Sequence, residues 1–196
     1  MEFINMNNDI KKQFIWFDLI FLSFLAAVSE WMGNGLLKVF GSSFYFSFSI
    51  AIGLIAMIRW GVWGTIVGMV GGFPAITFSG MSLIGGILFY VMANAFLGIP
   101  ILIYGKRDRN KISGHPIFLT GYIIVSHLCL AVGKGIVIFL LTSETTGMID
   151  YFGATFLIMV INIIVCLVLR MREGLLCDMR YYFDEREGEE NERQRD

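Results

Sequence analysis

Charge is scarce in this 196-residue chain: Asp, Glu, Lys and Arg make up 16% of it, against 56% apolar residues. That balance excludes an ordinary water-surrounded globule and suits a chain whose solvent is mostly lipid. Cysteine is nearly missing as well. Cys129, Cys166 and Cys177 have the spacing of neither a metal site nor a redox pair, so they read as packing residues. The two histidines, His115 and His127, stand roughly 16 Å apart along one helix at 1.5 Å per residue, too far to share a metal. The sequence holds no His-Glu-x-x-His, no nucleophile elbow, no phosphate-binding Gly-Lys-Ser/Thr loop and no pair of membrane-embedded carboxylates at helical spacing. No catalytic residue, metal, cofactor or nucleic-acid partner is therefore expected, and an enzyme is the weakest of the functional readings.

What is present is a set of six long apolar stretches, at about residues 14–30, 44–58, 61–77, 83–104, 116–141 and 151–169. Threaded back and forth across a bilayer, they leave 13 of the 15 basic residues on one side and only Lys38 on the other, with Lys134 inside a span. The positive-inside rule makes the first side cytoplasmic. The expected fold is all-α: a polytopic bundle of six transmembrane helices with both termini cytoplasmic, in a prokaryotic plasma membrane. Residues 1–13 form a cytoplasmic N-terminal segment, 14–170 the membrane domain and 171–196 a cytoplasmic tail. No cleavable signal is expected, because the first apolar run reaches Ser29 without a small-residue cleavage site and a further span follows.

The tail divides in two. From Asp184 to Asp196 it carries seven acids against three arginines, a solvated and disordered composition. Before that, Leu175, Leu176, Met179, Tyr182 and Phe183 fall along one stripe of a short helix, which fits a surface helix in the headgroup region with Arg170, Arg172 and Arg180 near lipid phosphates, or docked on a partner subunit. Within the third span Gly64, Gly68 and Gly72 recur every four residues. Lipid offers no hydrophobic drive for helix association, so a groove of small residues serves close backbone approach, here intramolecular packing. Pro74 should break the outer end of that span. Ser23 and Ala27 give the first span a weaker small-residue pair.

Polar residues at membrane depth are costly unless they face the bundle interior. Lys134, flanked by Gly133 and Gly135, sits about 27 Å along the fifth span, in its outer third. Its ammonium either serves an outward-facing pocket or snorkels to the interface. Asn94, His127 and Asn162 fall near mid-depth, where they are expected to hydrogen-bond one another across the bundle. Asp18, at the inner end of the first span, is expected to pair with Lys11, Lys12 or an inner-loop arginine. At the outer ends Glu30, Trp31 and Asn34 close the first span, and Tyr90 and Asn94 complete the candidate neighbours of Lys134. Trp31 suits either an interfacial anchor or ligand stacking.

The run Ile58-Arg59-Trp60-Gly61-Val62-Trp63-Gly64-Thr65-Ile66-Val67-Gly68-Met69-Val70-Gly71-Gly72 resembles the turn between the second and third helices of the substrate-binding S components of energy-coupling factor (ECF) transporters. The stretch Phe89-Tyr90-Val91-Met92-Ala93-Asn94-Ala95-Phe96-Leu97-Gly98, followed by the basic loop 106–111, is similar to the same family, and the resemblance spans about residues 14–170. It implies capture of a vitamin or related micronutrient in an outer pocket between the fourth to sixth helices, with Lys134, Glu30, Trp31, Asn34, Tyr90, Asn94, His127 and Asn162 as candidate lining. It also implies toppling in the membrane against a transmembrane coupling subunit, driven by two ATPase subunits. Ser23 and Ala27 would take the place of the family's two alanines, four residues apart, that meet the coupling subunit. The serine departs from that pattern. Lys134 favours a carboxylate- or phosphate-bearing ligand, while the aromatic content (15%) and His127 leave a flat ring or a tetrapyrrole open. The alternative from another class is a non-catalytic assembly subunit of a larger membrane complex, whose glycine face and tail are static contacts.

Overall fold

Side chains that are apolar on every face suit helices whose backbone groups are satisfied internally, and a helical chain is what the computed structural model shows. It describes the backbone of residues 2–39, 47–104, 109–143, 146–172, 174–179 and 183, and side chains within 11–35, 47–104, 109–143, 153, 156–172, 174–179 and 183. Among the described residues every regular element is helical and none is a strand. Among the described residues four stretches, Lys11–Gly35, Ser49–Ser79, Leu83–Tyr104 and Pro116–Thr142, are long and apolar enough to cross a membrane, and Phe156–Arg170 is a shorter apolar helix.

The longest of the four is folded back on itself. Helix α2 (Ser49–Trp60) stops at Gly61, whose φ of 65° lies in the left-handed region that only glycine enters without strain. A 3₁₀ turn, Gly61–Gly64, then leads into α3 (Thr65–Gly71). Contacts nest around that turn: Gly64 lies on the Ala56 and Met57 backbone, Gly68 on Gly53, and Gly71 on Ser49. The two arms are thus antiparallel, close enough that a Cβ on Gly64 would overlap backbone atoms of Ala56 and Met57. Pro74 occupies a 3₁₀ turn, Phe73–Ala75, before the single-turn helix α4 (Ile76–Ser79). The C-terminal end of this arm is broken at the expected proline.

The other helices add to this hairpin. Helix α1 (Glu2–Val39) runs antiparallel to α2, since Asp18 meets Arg59 while Ser29 accepts from the Phe48 N–H and Glu30 from Ser47. Leu83–Tyr104 is irregular: α5 (Leu83–Gly86) passes through a π-helical stretch, Ile87–Met92, and a 3₁₀ stretch, Ala93–Gly98, into α6 (Ile99–Tyr104). Pro100 explains part of this, because it lacks an N–H for the i−4 carbonyl and its ring crowds that group. Short α7 (Arg109–Gly114) precedes α8 (Pro116–Thr142), which pairs antiparallel with α9 (Thr146–Arg170) through His127 and Asn162 and through Arg170 bonded to the Ser113 and Gly114 carbonyls.

The interior centres on Leu54, Met57, Ile58, Leu97, Leu119, Tyr122, Ile123 and Cys166, with a second cluster around Leu19, Ala26, Trp60 and Val67. Outward, α1 presents Phe17, Ile20, Phe21 and Phe24, and the other helices present Ile103, Ile117, Leu140 and Val168. An apolar exterior of this extent would be an aggregation surface in water and is the normal exterior in lipid.

Charged groups collect at one end. Asp18 accepts from the Arg59 Nε at 2.9 Å and from the Trp60 indole N–H. Arg109 pairs with Asp178 at 2.7 Å, both buried, beneath Gly61. The tail is tied into this end: Arg59 Nη1 donates to the Gly174 and Leu175 carbonyls, the Asp178 N–H donates to Asn110 Oδ1, and Leu176 and Met179 are buried. The expectation of a stripe lying in the headgroups is corrected here for its described residues. Leu176 and Met179 plug the end of the bundle, held over it by Arg59 on the Gly174 and Leu175 carbonyls and by the Arg109–Asp178 pair. Tyr182 and the acidic stretch after Phe183 lie outside the described residues.

Candidate functional site

The single charged side chain of α8 sets the site. Lys134 is 7% exposed, and its Nζ lies 4.6 Å from the ring centre of Phe89 and 5.1 Å from that of Tyr90. The ammonium is turned inward onto two π faces. Cation–π contact of this kind is worth roughly 2 kcal/mol or more when desolvated. Gly133 makes the approach feasible, for a Cβ there would run into the Phe96 ring on the facing helix.

A buried carboxylate belongs to the same part of the bundle. Glu30, toward the C-terminal end of α1, is 4% exposed and acts electrostatically on both the Lys134 ammonium and the Tyr90 hydroxyl. Its two oxygens are held separately: Oε2 accepts from the Ser47 hydroxyl at 2.6 Å and Oε1 from the Asn34 side-chain amide at 3.2 Å. Ser47 in turn accepts from the Ser49 N–H at the start of α2. Three helical segments and the approach to a fourth therefore converge on one cation and one anion.

Asn94 belongs to the same wall, one turn deeper than Tyr90. Its Nδ2 donates to the Gly68 carbonyl at 2.9 Å, and its buried Oδ1 accepts from no group among the described residues. Gly72 presses against the Tyr90 carbonyl and the Asn94 amide, where a Cβ would overlap the Tyr90 carbonyl oxygen. The glycine groove of α3 is thus filled by the chain itself along its length, by α2 at Gly64, by Met57 and Leu97 at Gly68, and by Tyr90 at Gly72.

The expected trio of mid-depth polar residues is divided. His127 and Asn162 do meet: the amide Nδ2 lies 3.1 Å from Nε2, and Nδ1 lies 2.9 Å from the Ile123 carbonyl. This pattern suits a neutral imidazole with its proton on Nδ1. Asn94 bonds to α3 instead, because the π and 3₁₀ stretches rotate it toward the glycine arm. Asn162 Oδ1, like Asn94 Oδ1, is buried and accepts from no described group.

Two further expectations change. Trp31 is 59% exposed and points away from the cluster, so it does not line the site and fits the anchor role. Ser23 and Ala27 are half-buried, flanking the exposed aromatic face of α1, while their neighbour Ala26 packs on Gly71. Phe89 and Ser47 belong to the site and carry no signal in the sequence, one being an aromatic in an apolar run and the other a serine in a connecting loop. Among the described residues no group of three or more His, Cys, Asp or Glu is arranged to hold a metal ion.

Comparison of the chain with protein-family models, with curated proteins and with solved structures returned no match, so the geometry above is what a functional reading has to stand on.

Proposed function

We propose that this chain is the membrane-embedded substrate-capture subunit of an ECF-type importer, binding a vitamin or related micronutrient near the outer face for ATP-driven uptake by partner subunits. The observation that carries the reading is the buried Lys134, held against Phe89 and Tyr90 and acted on electrostatically by the buried Glu30. A bundle needing only to stand in lipid gains nothing from ionised groups there, since each costs several kcal/mol or so to desolvate. Polar groups placed at such depth at a convergence of helices are the usual mark of a substrate site.

The same reading makes α2 and α3 two crossings joined at Gly61 and gives six in all, with the Asp18, Arg59, Arg109, Asp178 and Arg170 end cytoplasmic. The clustering of these groups supports that orientation through the positive-inside rule. The half-buried Ser23 and Ala27 on α1 are the proposed contact with the transmembrane coupling subunit, which bridges to two ATPase subunits. The glycine face of α3 is internal packing in this account. Exposed Phe17, Ile20, Phe21 and Phe24 on α1 also suit the competing reading of an assembly subunit.

Affinity purification of the chain from its native membrane in mild detergent separates the two. The importer reading expects one transmembrane and two ATPase partners together with a stoichiometric small molecule. Structural partners without ATPases, and no small molecule, would favour the assembly subunit.

A further inference from the structure

The stretch between α5 and α6 departs from α-helical winding in two opposite ways, side by side. Ile87–Met92 is π-helical and Ala93–Gly98 is 3₁₀, six residues each. A 3₁₀ helix turns about 120° per residue against about 100° in an α-helix, so six residues of it run roughly 120° ahead. A π-helix, closed by i→i+5 bonds, turns less per residue than an α-helix and falls behind. The two deviations therefore offset each other between α5 and α6, and the misphasing is largest at the junction of Met92 and Ala93. Rewinding residues 87–98 as one α-helix would keep the flanking helices in place while rotating that junction by about a third of a turn.

The contacts hold the present register incompletely. Asn94 Nδ2 donates to the Gly68 carbonyl at 2.9 Å, yet its buried Oδ1 accepts from no group among the described residues, which costs stability. Pro100 withholds the alternative, because it supplies no N–H to the Phe96 carbonyl and so cannot close the bond that would fasten an α-helix across the 3₁₀ stretch. The neighbours are smooth as well: Tyr90, Leu97 and Phe96 lie against Gly72, Gly68 and Gly133, which have no side chain to interlock with them. Met92, at the junction, is half exposed. Stretches of 3₁₀ and π winding inside a helix are frequent at hinges and functional sites.

We infer that residues 87–98 form a rotary hinge with a second, fully α-helical state, in which Asn94 leaves the Gly68 carbonyl and Phe89 and Tyr90 turn away from Lys134. Both aromatic residues lie within the π stretch and rotate with the junction. The hinge thereby covers or uncovers the Lys134 ammonium without displacing α8. It goes beyond the capture reading, since it requires no ligand and applies equally to an assembly subunit.

The test is a spin-label distance measurement on the full chain, its three native cysteines replaced by alanine, in vesicles of phosphatidylcholine and phosphatidylglycerol. Labels at Met92→Cys and Leu128→Cys, the latter on the exposed side of α8, report rotation of the junction. Labels at Leu102→Cys and Leu128→Cys report α6, which the hinge leaves in place. The expected result is two distances for the first pair and one for the second. Asn94→Leu removes the bond of the present register and Pro100→Leu restores the missing N–H, so each should raise the second population about fivefold, the effect of one hydrogen bond. A single distance for the 92–128 pair in the wild type and both variants overturns the hinge. Two distances in the control pair as well overturn it too, since the whole span would then be moving. Should neither variant be monodisperse, the wild-type pairs decide by the same criteria.

Discussion

A single lysine carries most of the chemical argument. Replacing it by Met keeps the stem against Phe89 and Tyr90 but removes a charge-assisted donor, which should cost about 1.5–3 kcal/mol of ligand binding. In a calorimetric titration with the extracted ligand, Lys134→Met should raise the dissociation constant roughly 10- to 150-fold. An unchanged constant would mean that the ammonium serves packing alone. Lys134 was legible in the sequence because a charge between two glycines in an apolar run stands out against everything around it. Glu30 stood out as an acid closing the first apolar run, and of the partners expected for Asp18, which were Lys11, Lys12 or an inner-loop arginine, Arg59 pairs with it. Phe89 was not legible, since one phenylalanine among 18 says nothing about which way it faces. Trp31 illustrates the converse, a conspicuous residue whose exposure removes it from the site.

At the scale of elements, the phase of a helix decides which side chains meet, and phase is where a sequence says least. An ideal helix through 83–104 cannot assign Tyr90 and Asn94 to faces correctly when a π stretch and a 3₁₀ stretch intervene. This is why Asn94 leaves the expected trio and joins α3. The hairpin, by contrast, is written plainly: Arg59, Trp60 and Gly61 announce the turn, and the glycines announce the close arm. Their tolerance should differ. Alanine at Gly64 or Gly72 would overlap backbone atoms, whereas at Gly68 it would meet only Leu97 and Met57 side chains at ordinary distances of 3.4 and 3.6 Å. Thermal unfolding in detergent should therefore rank Gly72→Ala and Gly64→Ala well below Gly68→Ala, by about 1–3 kcal/mol for an overpacked interior. Equal stability across the three would refute the packing described. The tail offers another check. Asp178→Ala leaves Arg109 buried without its carboxylate, a change worth about 3–5 kcal/mol, and the paired replacement Arg109→Met with Asp178→Leu should recover much of it. Burial pushes the Cys177 thiol up, with Arg59 acting in the opposite direction, so its alkylation near neutral pH should be slow and should quicken in Asp178→Ala as residues 174–179 detach. A rate unaffected by the substitution would argue against the anchored tail.

For the whole molecule, an apolar exterior and four helices long and apolar enough to cross a membrane among the described residues suit a bundle that stands in a bilayer, and the proposed orientation puts the charged end inside. Composition and basic-residue asymmetry made the membrane class legible, because they average over many positions and survive local errors in phase. Ligand, partners and the number of crossings depend on particular contacts, and no relative supplies them. In a chain whose three native cysteines are replaced by alanine, Met81→Cys should react with an impermeant maleimide on intact cells and Arg172→Cys only after permeabilisation. The reverse pattern would invert the topology and move Lys134 to the wrong face for capture. The most direct measurement of capture itself is native mass spectrometry of the detergent-purified wild-type chain beside Lys134→Met. The account predicts a mass shift corresponding to one small molecule per chain in the wild type, greatly diminished in the variant. No shift in the wild type, or the same shift in both, would contradict it.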